Sequence, residues 1–219
     1  MKTRMFFLEE LNRLRHDVLA MASRVEEDLG KALTALRDDD TELAREVKAG
    51  DGVINAMQLK IEDEAAMLIA TQQPVARDLR ELVTIFKITG NLERAGDHAV
   101  HLAKAAMKLS GEPPFRSLEH LERMAETGRE MIRAAIDAYL SQDAQAARQA
   151  AALDDRIDGE HKELTEEVLS LMKERPELIK KAIRLLNTSG FLERLGDHIT
   201  NICEGIIYMV ECKHEELNE

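Results

Sequence analysis

Apolar side chains recur at alternating intervals of three and four residues along most of this chain. That rhythm predicts helices with one buried face rather than strands. The clearest run is Ile85, Ile88, Leu92, Ala95, Ala99, Leu102, Ala106 and Leu109. A second run, Leu185, Leu192, Leu195, Ile199, Ile202, Ile206 and Met209, keeps similar spacing. Between runs stand Pro74, Gly111, Pro113-Pro114 and Pro176, which interrupt helices. Asp38-Asp39-Asp40 and Ser141-Gln142-Asp143 read as turns that end in N-cap side chains. The pattern predicts six long helices at about 5–37, 41–71, 75–109, 116–140, 143–173 and 177–212.

The chain also repeats itself. Leu92-Glu93-Arg94-Ala95-Gly96-Asp97-His98 returns as Leu192-Glu193-Arg194-Leu195-Gly196-Asp197-His198, with one substitution. Asp40, Asp51 and Ile54 recur as Asp143, Asp154 and Ile157 at an offset of 103. The offset becomes 102 at Pro74 and Pro176 and 100 at the motif, each change falling in or near a turn, where length changes are tolerated. The expected fold is therefore all-α: two tandem, sequence-repeated three-helix bundles, residues 1–110 and 111–219.

Charge narrows the function. With 30 Lys and Arg against 42 Asp and Glu, the formal net charge is −12. Such a chain lacks the basic footprint of a direct nucleic-acid binder, and its two Tyr, five Phe and no Trp leave few stacking platforms. No apolar run approaches the length of a membrane span, and acidic residues arrive too early for a signal peptide. A cytoplasmic location is expected, with membrane contact only through partners. Cys203 and Cys212, nine apart, form no metal or redox motif and are expected to be reduced thiols. No phosphate loop or nucleophile elbow occurs, and no Ser or Cys has an identifiable base.

The candidate chemistry lies in acidic pairs four residues apart, which share a helix face. The third helix of each unit carries one: Glu93 with Asp97, and Glu193 with Asp197. The second helix carries another: Asp51 with Asn55, and Asp154 with Asp158. Both pairs of a unit lie roughly 30 Å from the intervening turn at the helical rise. Antiparallel neighbours then bring four oxygen-bearing side chains to one level, twice. Clustered carboxylates resist joint ionisation, and a cation removes that cost. Oxygen donors suit iron, manganese, magnesium or calcium; His101, one turn beyond Asp97, keeps zinc possible. The position away from the apolar stripe points to open, exposed sites. The same pattern also describes an ordinary solvated face, or carboxylates paired with Arg94, Arg194 or Lys104. His98 and His198 sit on another face and read as packing or hydrogen-bonding groups. Gly96 and Gly196, in mid-helix, suggest close approach of a neighbour. Arg77-Asp78-Leu79-Arg80 reads as helix-end electrostatics.

The repeated Leu-Glu-Arg motif, Gln72-Gln73-Pro74-Val75-Ala76-Arg77-Asp78-Leu79-Arg80 and the Asp154–Asp158 pair together resemble the PhoU family over nearly the whole chain. The resemblance implies a cytoplasmic, non-enzymatic regulator that represses phosphate uptake and the phosphate-starvation response. It implies an adaptor between the ATPase of the phosphate ABC transporter and a sensor histidine kinase, often as a homodimer. It also implies multinuclear metal sites, here falling on Glu93, Asp97 and Asp51, and on Glu193, Asp197, Asp154 and Asp158. Asn55 stands where the second unit has Asp158, so the first site is expected to be weaker. A metal-dependent enzyme and a purely structural bundle are the competing readings.

Overall fold

The computed structural model describes residues 2–110 and 118–218. Gly111 and Pro113-Pro114, where the join between units was expected, lie outside the described residues. Seven helices follow: α1 Lys2–Arg37, α2 Thr41–Gln72, α3 Ala76–Leu109, α4 Leu118–Ser141, α5 Ala144–Ala151, α6 Asp154–Glu174 and α7 Ile179–Glu211. A 3₁₀ turn at Pro176–Leu178 leads into α7. No strand occurs among the described residues.

The predicted turns form for the expected reason. Asp40 caps α2, its carboxylate accepting from the Glu42 and Leu43 amides at 3.0 Å. Asp143 does the same for α5, accepting from Gln145 and Ala146 at 2.8 and 3.0 Å. One residue earlier, Asp39 and Gln142 both adopt left-handed backbone, with φ of 56° and 55°. The turn geometry is therefore repeated along with the sequence.

One element differs. The helix expected over 143–173 breaks at Ala152–Leu153 into α5 and α6. No Gly or Pro marks the break. It places Asp154 and Asp155 in the first turn of α6, where the helix dipole favours negative charge. Arg148 near the end of α5 is held by Glu211 and Glu215 beyond it, at 2.8 and 2.7 Å.

Helices α1–α3 pack on one another, as do α4, α6 and α7 with α5. All of the third-helix positions predicted to face the core are buried, from Ile85 to Leu109 and from Leu185 to Met209. The two units are not separate cores. α3 packs along α7 and α1 along α4, so the buried apolar residues form one contiguous cluster. As a result α3 and α7 bury a second face as well, including Val100, Ala103, Cys203 and Ile207.

The α3–α7 contact is antiparallel. Thr84 meets Gly205, Asn91 meets His198, and His101 stacks on Phe191 at 4.1 Å. Exchanging the halves at the offset of 100 maps the His98–His198 pair onto itself. Those rings stack 5.5 Å apart, on the pseudo-two-fold axis between units. This is a packing seam, as their helix face suggested. Burial, then the neighbouring His198 and His101, lowers the His98 pKa to about 4. Burial also lowers that of His198. A histidine depressed by folding contributes full stability above its unfolded value near 6.5, and that contribution disappears as pH falls toward 4. Replacing His98 by Leu should flatten this part of the acid limb. Urea unfolding of both proteins between pH 7.5 and 4 would measure a difference of about 1–3 kcal/mol.

No helix among the described residues is long and apolar enough to cross a membrane. Cys203 is buried and Cys212 exposed, and both are free thiols.

Candidate metal centres

The register inferred from helix lengths holds in both units. In the first, α2 runs antiparallel to α3, with Ile54 against Gly96 and Glu62 accepting from Thr89 at 3.2 Å. In the second, α6 runs antiparallel to α7, with Asp154 against Gly196 and His161 against Ser189. The predicted carboxylates of each unit therefore lie within electrostatic reach of one another. Burial raises the Glu93 carboxyl, helped by the charges of Asp97, Asp51 and Glu62. Burial likewise raises Asp158 and Glu193, each with Asp197 as the next cause.

Asp154 is the most perturbed. Burial first, then Asp158, Asp197 and Glu193, push its carboxyl up to about 7, against an opposing hydrogen bond from Thr200 at 3.0 Å. Its other oxygen, Oδ1, is buried without a hydrogen-bond partner. A Cβ added at Gly196 would stand 2.0 Å from that oxygen. Glycine is therefore required here because the Asp154 carboxylate occupies the space a side chain would fill. Gly96 has a different neighbour, Ile54 Cδ1, which a Cβ would meet at 2.8 Å. The two halves diverge because Val100 replaces Thr200 in the first, so nothing equivalent draws Asp51 inward.

Cation pairing separates the units further. Arg94 lies 3.6 Å from both Glu93 and Asp97, though it is largely solvent-exposed. Arg194 instead donates to the Gly190 carbonyl and lies over the Phe191 ring. The second carboxylate group is thus less compensated. Exposure is graded rather than open throughout. Asn55 and Asp158 are exposed, whereas Asp51, Glu93, Asp97, Asp154, Glu193 and Asp197 are half-buried. Glu62, seven residues after Asn55 on α2, adds a carboxylate to the first group that the spacing of four did not reveal.

One cluster was not foreseen. Among the described residues, the only three His, Cys, Asp or Glu groups with ligand atoms all within 4.8 Å are His120, Glu160 and Glu163. No three of the predicted carboxylates are drawn that tightly together. Glu160 already has a cation: Arg123 Nε lies 2.7 Å from one oxygen, and His120 Nδ1 2.6 Å from the other. Its signal in sequence was a histidine on the apolar face of α4 and glutamates three apart on α6.

Ser189 does have a histidine beside it, with His161 Nδ1 at 3.0 Å. Its hydroxyl donates to the Leu186 carbonyl at 2.9 Å rather than to the imidazole. The side chain is also fully buried.

The residues present fit a hard cation. All donors are oxygens, burial and then neighbouring charge raise the Glu93, Asp154, Asp158 and Glu193 carboxyls, and one buried carboxylate oxygen has no partner. The fold and site define a helical-bundle protein with duplicated acidic clusters. The PhoU domain description matches it twice, over residues 18–106 and 121–206, and the chain belongs to the PhoU family. It is 35% identical over 218 residues to a phosphate-specific transport system accessory protein PhoU homolog of Clostridium acetobutylicum, covering 99% of this chain and 100% of that protein. The crystal structure of PhoU from Pseudomonas aeruginosa superposes with a TM-score of 0.90 at 35% identity, covering 94% of this chain and all of that one. The phosphate transport system regulatory protein PhoU from Streptococcus pneumoniae also gives 0.90, at 33% identity, covering 96% and 99%.

Proposed function

We propose that this chain is an accessory protein of a phosphate-specific transport system. In this reading it is a cytoplasmic, non-enzymatic, homodimeric repressor of phosphate uptake and of phosphate-starvation signalling. It docks on the ATPase of the phosphate ABC transporter and on a sensor histidine kinase, and meets neither nucleic acid nor lipid directly. The observation that carries the reading is the full-length similarity to accessory proteins of that name. Affinity capture from cells grown in high and low phosphate tests it. Co-purification of the transporter ATPase or the kinase is expected; recovery of neither overturns the assignment.

Metal ions belong to the same proposal. Asp154, Asp158, Glu193 and Asp197 would hold one group, and Asp51, Asn55, Glu93 and Asp97 the other, with Glu62 near the latter. Bound iron, manganese or magnesium would neutralise the carboxylates and brace α2 to α3 and α6 to α7; zinc is the less suited ion. The greater uncompensated charge of the second group makes it the tighter. Elemental analysis of the purified protein beside Glu193→Ala/Asp197→Ala should show the larger loss there, compared with Glu93→Ala/Asp97→Ala. Equal metal content in all three proteins would count against metal at these residues.

A further inference from the structure

A groove of about 230 Å³ opens between the C-terminal half of α3 and the N-terminal half of α7. Lys104 and Lys108 line it from α3, and Arg184, Asn187 and Phe191 from α7, with His101 at one side. Among the described residues no carboxylate lines it, in a chain with a net charge of −12. Among the described residues, none of Lys104, Lys108 and Arg184 forms an ion pair. Arg184 Nη1 donates to the Lys108 carbonyl at 3.2 Å, which holds the guanidinium across the end of α3. Lys104 and Lys108, four apart, share one face of that helix.

The other half of the molecule supplies an internal comparison. Exchange of the units places Glu204 at the position of Lys104, Tyr208 at Lys108 and Thr84 at Arg184. There the corresponding groove is covered by the chain's own C-terminal segment. Tyr208 stacks on His214 at 4.4 Å, and Glu204 accepts from the Leu217 amide at 2.8 Å. Lys87 lies over the Tyr208 ring. Among the described residues, the repeat thus has one groove that is crossed by the C-terminal segment and holds Glu204 together with Lys87, and one that is uncovered and lined by cations without a carboxylate.

We propose that the open groove binds a small, multiply charged oxyanion of the phosphate–diphosphate class. Ammonium and guanidinium donors match phosphoryl oxygens, and the Asn187 amide adds a neutral donor. Three cations suit a diphosphate better than a single tetrahedral ion, and the volume leaves room for more than one such group.

The test is calorimetric titration of the full-length protein with inorganic phosphate, pyrophosphate, ADP and sulfate at low ionic strength. Pyrophosphate is expected to bind at least tenfold more tightly than sulfate. That affinity should fall at least tenfold in Lys104→Gln and in Arg184→Gln, with helical circular dichroism unchanged. It should also weaken with added salt. ADP binding more tightly than pyrophosphate would assign the groove to an organic diphosphate, and weaker binding to the free anion; either supports the proposal. No saturable pyrophosphate binding up to about 1 mM overturns it, as does equal binding of sulfate. Binding that both variants leave unchanged overturns it too, and would point to anions held elsewhere, such as at metal ions.

Discussion

An Arg15→Met variant should unfold about 3–5 kcal/mol more easily than the parent, a fall in Tm of roughly 10 °C for a chain of this size. Arg15, on α1, makes two hydrogen bonds to Glu81 on α3, at 2.6 and 2.8 Å. Glu81 is only 3% exposed. Removing the guanidinium leaves a buried carboxylate with a long contact from Gln142 Nε2, at 3.3 Å, as its remaining donor. The buried Tyr139 hydroxyl faces the same carboxylate, and burial together with that charge holds its pKa well above the usual tyrosine value. α1 and α3 come from the first unit, Tyr139 and Gln142 from the second, so the site joins the halves at one end of the bundle. The double variant Arg15→Met/Glu81→Leu should regain most of the loss, because it leaves no unpaired charge behind. Urea unfolding of the three proteins decides the matter. A double variant no more stable than Arg15→Met would show that packing, not charge, sets the cost.

The second large effect belongs to Asp154. A carboxyl raised to about 7 by folding favours the folded state below its unfolded value near 3.8 and loses that advantage as pH rises through 7. Above pH 7 the ionised group therefore weakens the metal-free protein. After discounting for its partial exposure, Asp154→Asn should stabilise that form at pH 7.5 by about 1–2 kcal/mol. Added manganese should reverse the order. An ion at about 100 times its Kd stabilises the parent by about 2.7 kcal/mol, some 5–10 °C, and the variant by much less. Melting curves with chelator and with manganese test both halves. Identical responses of parent and variant to the ion would remove Asp154 from the proposed ligand set. The pH effect is opposite in sign to that of His98, so the two variants are distinguishable in one pH series.

Much of the site was legible in the sequence. Asp51, Glu93 and Asp97 were placed together by counting residues from a turn, as were Asp154, Asp158, Glu193 and Asp197. The count works because an α-helix advances a constant distance per residue and a short turn forces antiparallel neighbours. What the count missed was anything that depends on a third element or on side-chain direction. Glu62 lies near Glu93, His120 meets Glu160 across α4 and α6, and Arg194, one of the alternative cation partners, turns away from the carboxylates to the Gly190 carbonyl. The break at Ala152–Leu153 carried no breaker residue, and so left no mark in the sequence.

Periodicity, punctuation and repetition were enough to establish helices, their turns and their duplication, because each is a local property of the chain. The pairing of the duplicated units was not local. α3 and α7 each present two apolar faces, and one amphipathic stripe cannot tell which neighbour covers the other face. Burying those second faces against each other put His98 on His198 at the axis and left one cationic groove open beside it. Only the packed bundle sets these relations, since they arise from contacts between residues about a hundred positions apart.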